Sequence, residues 1–191
     1  MRRSVMLAPL AALALAGQPV PVQGNPDSPV RVLIYEDLQC PDCAAFDRML
    51  HEHLLPRYGA KVAFVHRDFP LAKHAWARQA AIAARFFAQR DPKVALAYRS
   101  QTLVSRREIT PGNFDQRLAA FAEKHGIPGK DAVAALADPR YAEAVEKDFQ
   151  EGVARGVSKT PTVFVNGAPF VETFTLEEIS KGIDQALAQA N

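Results

Sequence analysis

Residues 70–156 carry helix periodicity and no strand pattern, and strand-forming runs stand on both sides of them. This interruption limits the folds open to the chain more than any other feature. Before it, Val30–Tyr35 is a β-branched apolar run bounded by Pro29 and Glu36-Asp37, and Lys61–His66 is a second. Such runs read as buried strands. Between them, Ala44, Ala45, Phe46, Met49, Leu50, His53 and Leu54 mark one face of a helix, with Pro56 and Gly59 near its end. Strand, helix, strand at this spacing predicts a βαβ unit with parallel strands. After the interruption, Thr162–Val165 and Pro169–Val171 flank Asn166-Gly167, a strong two-residue hairpin signal. Leu176–Ala190 is an amphipathic helix with Thr175 as N-cap and Glu177-Glu178 in its first turn. The interruption divides into helices at His74–Arg90, Lys93–Ser105, Phe114–His125, Lys130–Ala137 and Arg140–Arg155, the last capped by Gly156. The expected architecture is one α/β domain over residues 25–190. A helical insertion at about 72–156 separates its βαβ half from its hairpin–helix half.

The only two cysteines are Cys40 and Cys43, after the first strand and at the start of the helix that follows. A disulfide across two intervening residues closes almost no loop and staples little. The pair suits redox exchange, or half of a metal site. Residues 1–24 read as a signal peptide and leader. Arg2 and Arg3 are followed by an uncharged Ala/Leu-rich run from Val5 to Gly17, with small-residue cleavage patterns at Ala14–Ala16 and Val22–Gly24. The run is too short for a comfortable membrane span, which needs about 20 residues. Pro19–Pro29 reads as a tail or linker. Export matters because disulfides persist in oxidising compartments. Arg2 and Arg3 account for the whole net charge of +2, and no basic stripe argues for nucleic acid.

Glu36–Phe46, with Cys40-Pro41-Asp42-Cys43 inside it, resembles the active-site stretch of the DsbA-like thioredoxin-fold proteins, exported bacterial thiol–disulfide oxidoreductases. Gly156–Gly167, with Thr160-Pro161 inside it, resembles that family's second signature, and the helical block between the two also fits. The resemblance covers residues 30–190. It implies a thioredoxin fold in which Cys40 exchanges with substrate at a helix N-terminus, whose free N–H groups favour the thiolate. Cys43, one turn in, would resolve the mixed disulfide. Pro41 suits the first turn because its missing N–H has no partner there. Thr160-Pro161 would be the cis-proline loop against the pair, with the Thr160 backbone pairing with an extended substrate.

Two positions depart from the family pattern. Ile34 stands where relatives carry a buried acid, leaving solvent, Glu36 or Asp37 as proton acceptor for Cys43. Lys159 stands where relatives carry a small residue; its charge could stabilise a thiolate, select acidic substrates or simply be solvated. Asp42 should oppose a second negative charge at Cys40. The expected pair is therefore less oxidising than the DsbA value of about −120 mV and closer to the isomerase value of about −180 mV. No metal and no cofactor are expected. Zinc needs four ligands, and His51 and His53 point to different faces of a helix. Haem attachment needs His after Cys43, where Ala44 stands. His66 and His74 read as surface or capping residues, Trp76, Phe86, Phe87 and Tyr98 as core of the helical block, and Arg106-Arg107-Glu108 as a solvated loop.

The sequence favours an exported enzyme of oxidase type, in the periplasm or secreted. It would act on protein substrates bearing thiols or disulfides and be reset by a membrane redox partner. A reductase or isomerase is the alternative within that class. The short stretch before the first strand holds no dimerisation module, which favours a monomer. A non-catalytic module that binds a peptide or copper is the alternative outside it.

Overall fold

The computed structural model describes residues 21–190. Of the expected signal peptide and leader, residues 1–24, residues 1–20 lie outside the described residues. Val22–Gly24 forms a short strand, β1, although the sequence reads as a linker there. β2 is Arg31–Glu36, β3 Ala63–Asp68, β4 Thr162–Val165 and β5 Ala168–Val171. They make one sheet in the order β1-β3-β2-β4-β5. β2 and β3 are parallel, and the other pairings are antiparallel. Asn166 and Gly167 both have positive φ, 44° and 94°, which a two-residue hairpin turn between β4 and β5 requires.

The side-chain alternation of β2 divides the core. Val32 and Ile34 face α1 (Pro41–Met49) and α8 (Leu176–Ala190), in a cluster with Phe46, Leu50, Phe64, Val163 and Ile183. Tyr35 faces the opposite side and meets Phe69, Val157 and Phe164. α7 (Pro139–Ala154) covers that side. It approaches closely because Gly152 has no side chain: a Cβ there would lie 2.7 Å from the Phe69 ring and 3.0 Å from Tyr35. α1 runs on through a π-helical turn, Leu50–Leu54, into α2, Leu55–Tyr58. Ala45, in α1, and His53, in the wider turn, are exposed, although the sequence pattern places them on the apolar face.

The insertion is helical throughout: α3 (Ala77–Arg90), α4 (Pro92–Ser105), α5 (Phe114–Lys124), α6 (Gly129–Ala134) with a 3₁₀ turn at Ala135–Ala137, and α7. Asp91 and Asp138 cap α4 and α7 by accepting backbone N–H bonds from Lys93 and Arg140. Thr175 and Glu178 cap α8 reciprocally. Trp76, Phe86, Phe87 and Tyr98 are core residues of the insertion, as the sequence implied. That same apolar cluster extends to Leu38, Cys40, Cys43 and Ala44, so the block packs directly over the cysteine pair. α3 begins three residues later than the periodicity indicates, at Ala77, which leaves His74 in a turn. Among the described residues no helix is long and apolar enough to cross a membrane.

Candidate active site

Cys40 is the N-cap of α1, in extended conformation, and Pro41 occupies the first helical position. Both thiols are free. The Thr160–Pro161 peptide is cis and lies against the pair: the Cys40 thiol donates to the Thr160 carbonyl at 3.3 Å. Thr160 Oγ1 is buried, has no partner beside the neutral Cys40 thiol, and is free to donate to the Cys40 thiolate. Cys40 is held down at about 6. The largest cause is a hydrogen bond from the Cys43 thiol, which outweighs the cost of burial; Thr160 and the N–H groups of Cys43 and Asp42 add to it. Cys43 is fully buried, and burial, followed by the neighbouring Cys40 thiolate and Glu36, pushes it well above the usual thiol range. The Asp37 N–H reaches Cys43 Sγ at 3.4 Å. One sulfur is thus prepared to be a thiolate and the other to stay protonated, the division that thiol–disulfide exchange through a mixed disulfide needs.

Asp42 is exposed. Its carboxylate was expected to oppose the thiolate, yet the contribution it makes at Cys40 is the favourable one of its backbone N–H. Lys159 does not face the sulfur alone. Its ammonium pairs with Glu172 at 2.7 Å on the rim of a cleft of about 510 Å³ lined by Cys40, Leu71, Lys73, His74, Lys159 and Thr160, among others.

His66 and His74 are not surface residues. His66 is buried; its Nδ1 lies 2.6 Å from Glu36 Oε1 and its Nε2 2.8 Å from Gln23 Oε1 on β1. Arg99 of α4 bonds the same Glu36 oxygen at 2.8 Å and Asp68 at 2.7 Å, and Arg85 of α3 joins Asp68 to Asp148. Burial alone would raise Glu36, but the His66 and Arg99 charges outweigh it and hold the carboxyl at about 2. Glu36 is therefore fixed as an anion, which removes it as a proton acceptor for Cys43. Its neighbour Asp37, also buried, accepts at both oxygens: from Gln39 N–H at 2.7 Å, Leu71 N–H at 2.7 Å and His74 Nδ1 at 2.8 Å. Sequence reasoning missed this arrangement because its partners are far apart in the chain. The available signal was the run of polar residues, Glu36, Asp37, His66 and Asp68, at the carboxyl ends of two adjacent strands.

The chain is similar to known proteins along most of its length. A stretch of the Na(+)/H(+) antiporter NhaA 3 of Salinispora tropica is 31% identical to it over 170 residues, covering 88% of this chain, and this chain spans 25% of that protein. Disulfide bond formation protein D of Bacillus subtilis is 26% identical over 187 residues, covering 91% of this chain and 82% of that protein. Among solved structures, BdbD from Bacillus subtilis superposes with a TM-score of 0.80 at 23% identity, over 90% of this chain and 97% of that one. Chlamydia trachomatis DsbA gives 0.76 at 19% identity over 98% of both chains. The fold is thus the one found in DsbA structures, and the family model described as Thioredoxin matches residues 18–185. With that match running from ahead of β1 into α8, the chain belongs to the thioredoxin family.

Proposed function

We propose that the protein is an exported thiol–disulfide oxidoreductase of oxidase type, with Cys40 as the exchanging sulfur and Cys43 as the resolving one. The observation that carries this reading is the placement of the pair: Cys40 caps a helix N-terminus against the cis Thr160–Pro161 peptide, with Cys43 fully buried one turn in, an arrangement that lowers the first thiol and raises the second. In the oxidised protein, a substrate thiolate attacks Cys40 Sγ and Cys43 leaves. A second substrate thiolate then displaces Cys40 and releases the oxidised product. Pro41 and Asp42 shape the pair from inside the first turn. Thr160-Pro161 offers the backbone along which an extended substrate lies, with the Thr160 carbonyl already turned to the sulfur. Disulfide bond formation protein D, whose name describes this chemistry, supports the reading through its 26% identity over 187 residues. The protein would work as a monomer in the periplasm or outside the cell, on proteins bearing thiols or disulfides, and a membrane partner would reoxidise the pair.

The test is oxidative refolding of a reduced, disulfide-containing model protein, alongside reduction of insulin. The wild type should turn over, and Cys40→Ser should abolish turnover while leaving the fold intact. Turnover that persists in Cys40→Ser, or a wild type that binds Cu(I) stoichiometrically and exchanges nothing, overturns the reading.

A further inference from the structure

We propose that His74, held by Asp37, is the general base that takes the proton from a substrate thiol attacking Cys40. The inference rests on the thiol–disulfide reading above. The buried Asp37 carboxylate is anchored by two backbone N–H groups and receives the imidazole at Nδ1, 2.8 Å away. That bond fixes the tautomer, so a neutral ring carries its lone pair on Nε2. Among the described residues Nε2 has no hydrogen-bond partner, and the side chain is 15% exposed. The ring lines the same cleft as Cys40. His74 stands in the turn preceding α3.

The charged groups around this ring come from every side of the cleft. Asp37 approaches from the loop after β2, Cys40 and Asp42 from α1, and Lys73 from the same turn as His74. Lys159 and Glu172 also line the cleft and pair with each other. Among the described residues, Asp37 is the only charged group hydrogen-bonded to the imidazole.

The step balances. The substrate S–H bond breaks and its proton goes to Nε2. The sulfur's electron pair forms a new S–S bond to Cys40, and the Cys40–Cys43 bond breaks with its pair left on Cys43. Cys43 ends as the thiol, so the proton lent to His74 is returned and none is consumed. An ordinary cysteine thiol is only about 3% ionised at pH 7, so a base at this point can gain at most about 30-fold.

The experiment is single-turnover reduction of the oxidised protein at pH 7 by two thiols: an N-acetylated cysteine peptide, and a fluorinated aromatic thiol that is fully ionised at that pH. His74→Gln keeps an N–H for Asp37 and removes the base. It should slow the peptide thiol about tenfold and the aromatic thiol less than twofold, and the peptide difference should vanish at pH 9.5. Asp37→Asn, which loosens the ring, should show the same selectivity. Equal slowing of both thiols means a structural role, and no slowing means no role; either result overturns the proposal. A wild type that reacts with neither thiol fails at the thiol–disulfide reading instead, and takes this proposal with it.

Discussion

The Thr160 hydroxyl should set where the redox potential of the pair changes its pH dependence. A reduced pair gains RT ln(1 + 10^(pH − pKa)) from its thiolate, which at pH 7 and a Cys40 value of about 6 is about 1.4 kcal/mol. A thiol at about 3.5, as in DsbA, would gain about 4.8 kcal/mol. The difference of about 3.4 kcal/mol corresponds to about 70 mV, so from the DsbA value of about −120 mV the expected potential is about −190 mV. Because the Cys40 value is lowered, this stabilisation of the reduced state is complete above the unfolded thiol range and is lost as pH falls through about 6. The potential should accordingly fall by about 59 mV per pH unit below that point and about 30 mV above it. Thr160→Val keeps the shape and removes a buried hydroxyl that has no other partner. A hydrogen bond to a charged group is worth about 1.5 kcal/mol at the low end, or about one pKa unit, which moves the break from about 6 to about 7. At pH 7 that makes the pair more reducing by about 20 mV. Equilibration in glutathione buffers from pH 5 to 8, with ultraviolet titration of the thiolate, measures both quantities. A break that stays in place or moves down in Thr160→Val refutes the reasoning, as does a wild-type potential near the DsbA value.

Glu36→Gln breaks the buried pairs with His66 and Arg99 and should cost about 3 kcal/mol in urea unfolding. Glu36 is lowered to about 2 in the fold, so its contribution is present above the unfolded carboxyl range and disappears as pH falls from about 4.5 to 2. The variant's acid unfolding should therefore be shallower over that interval, and an unchanged acid transition would contradict the role. Gly152→Ala drives a methyl group into Phe69 and Tyr35 and should destabilise by about 1–3 kcal/mol in the same assay, whereas a neutral result would mean that α7 shifts freely. Lys159→Ala removes a rim ion pair that is more than a third exposed at both partners' average, and its thermal unfolding should differ by about 0.5 kcal/mol or less. A larger loss would show that the pair fastens the cleft.

The parallel unit, the hairpin and the placement of Cys40 at a helix start were legible because each rests on local chemistry: β-branched runs, Asn-Gly, and a proline that suits a first helical turn. Thr160-Pro161 was legible only beside the cysteine pair. β1 was not, since three residues among prolines and glycines carry no periodicity and the strand exists only through its pairing with β3. The roles of His66 and His74 were hidden for the same reason: Glu36 and His66 are thirty positions apart, and Asp37 and His74 thirty-seven. For Asp42 the residue type gives the charge but not the exposure: water screens the exposed carboxylate, while the backbone N–H favours the Cys40 thiolate. Lys159 needed a partner, Glu172, that only the return of β5 brings near.

Strand β1 makes maturation a structural question. Its Gln23 joins the rings of His51 and His66, at 3.1 Å and 2.8 Å, and its backbone covers the outer edge of β3. A cut after Gly24 would discard the strand, strip the buried His66 of a partner and leave an open sheet edge of the kind that seeds aggregation. A cut after Ala16 would spare all three. On the proposed export, the mature chain should therefore carry the upstream terminus, and the mass of the mature protein reads this directly: a start at residue 25 in a stable, active preparation would show that the fold does without its outermost strand.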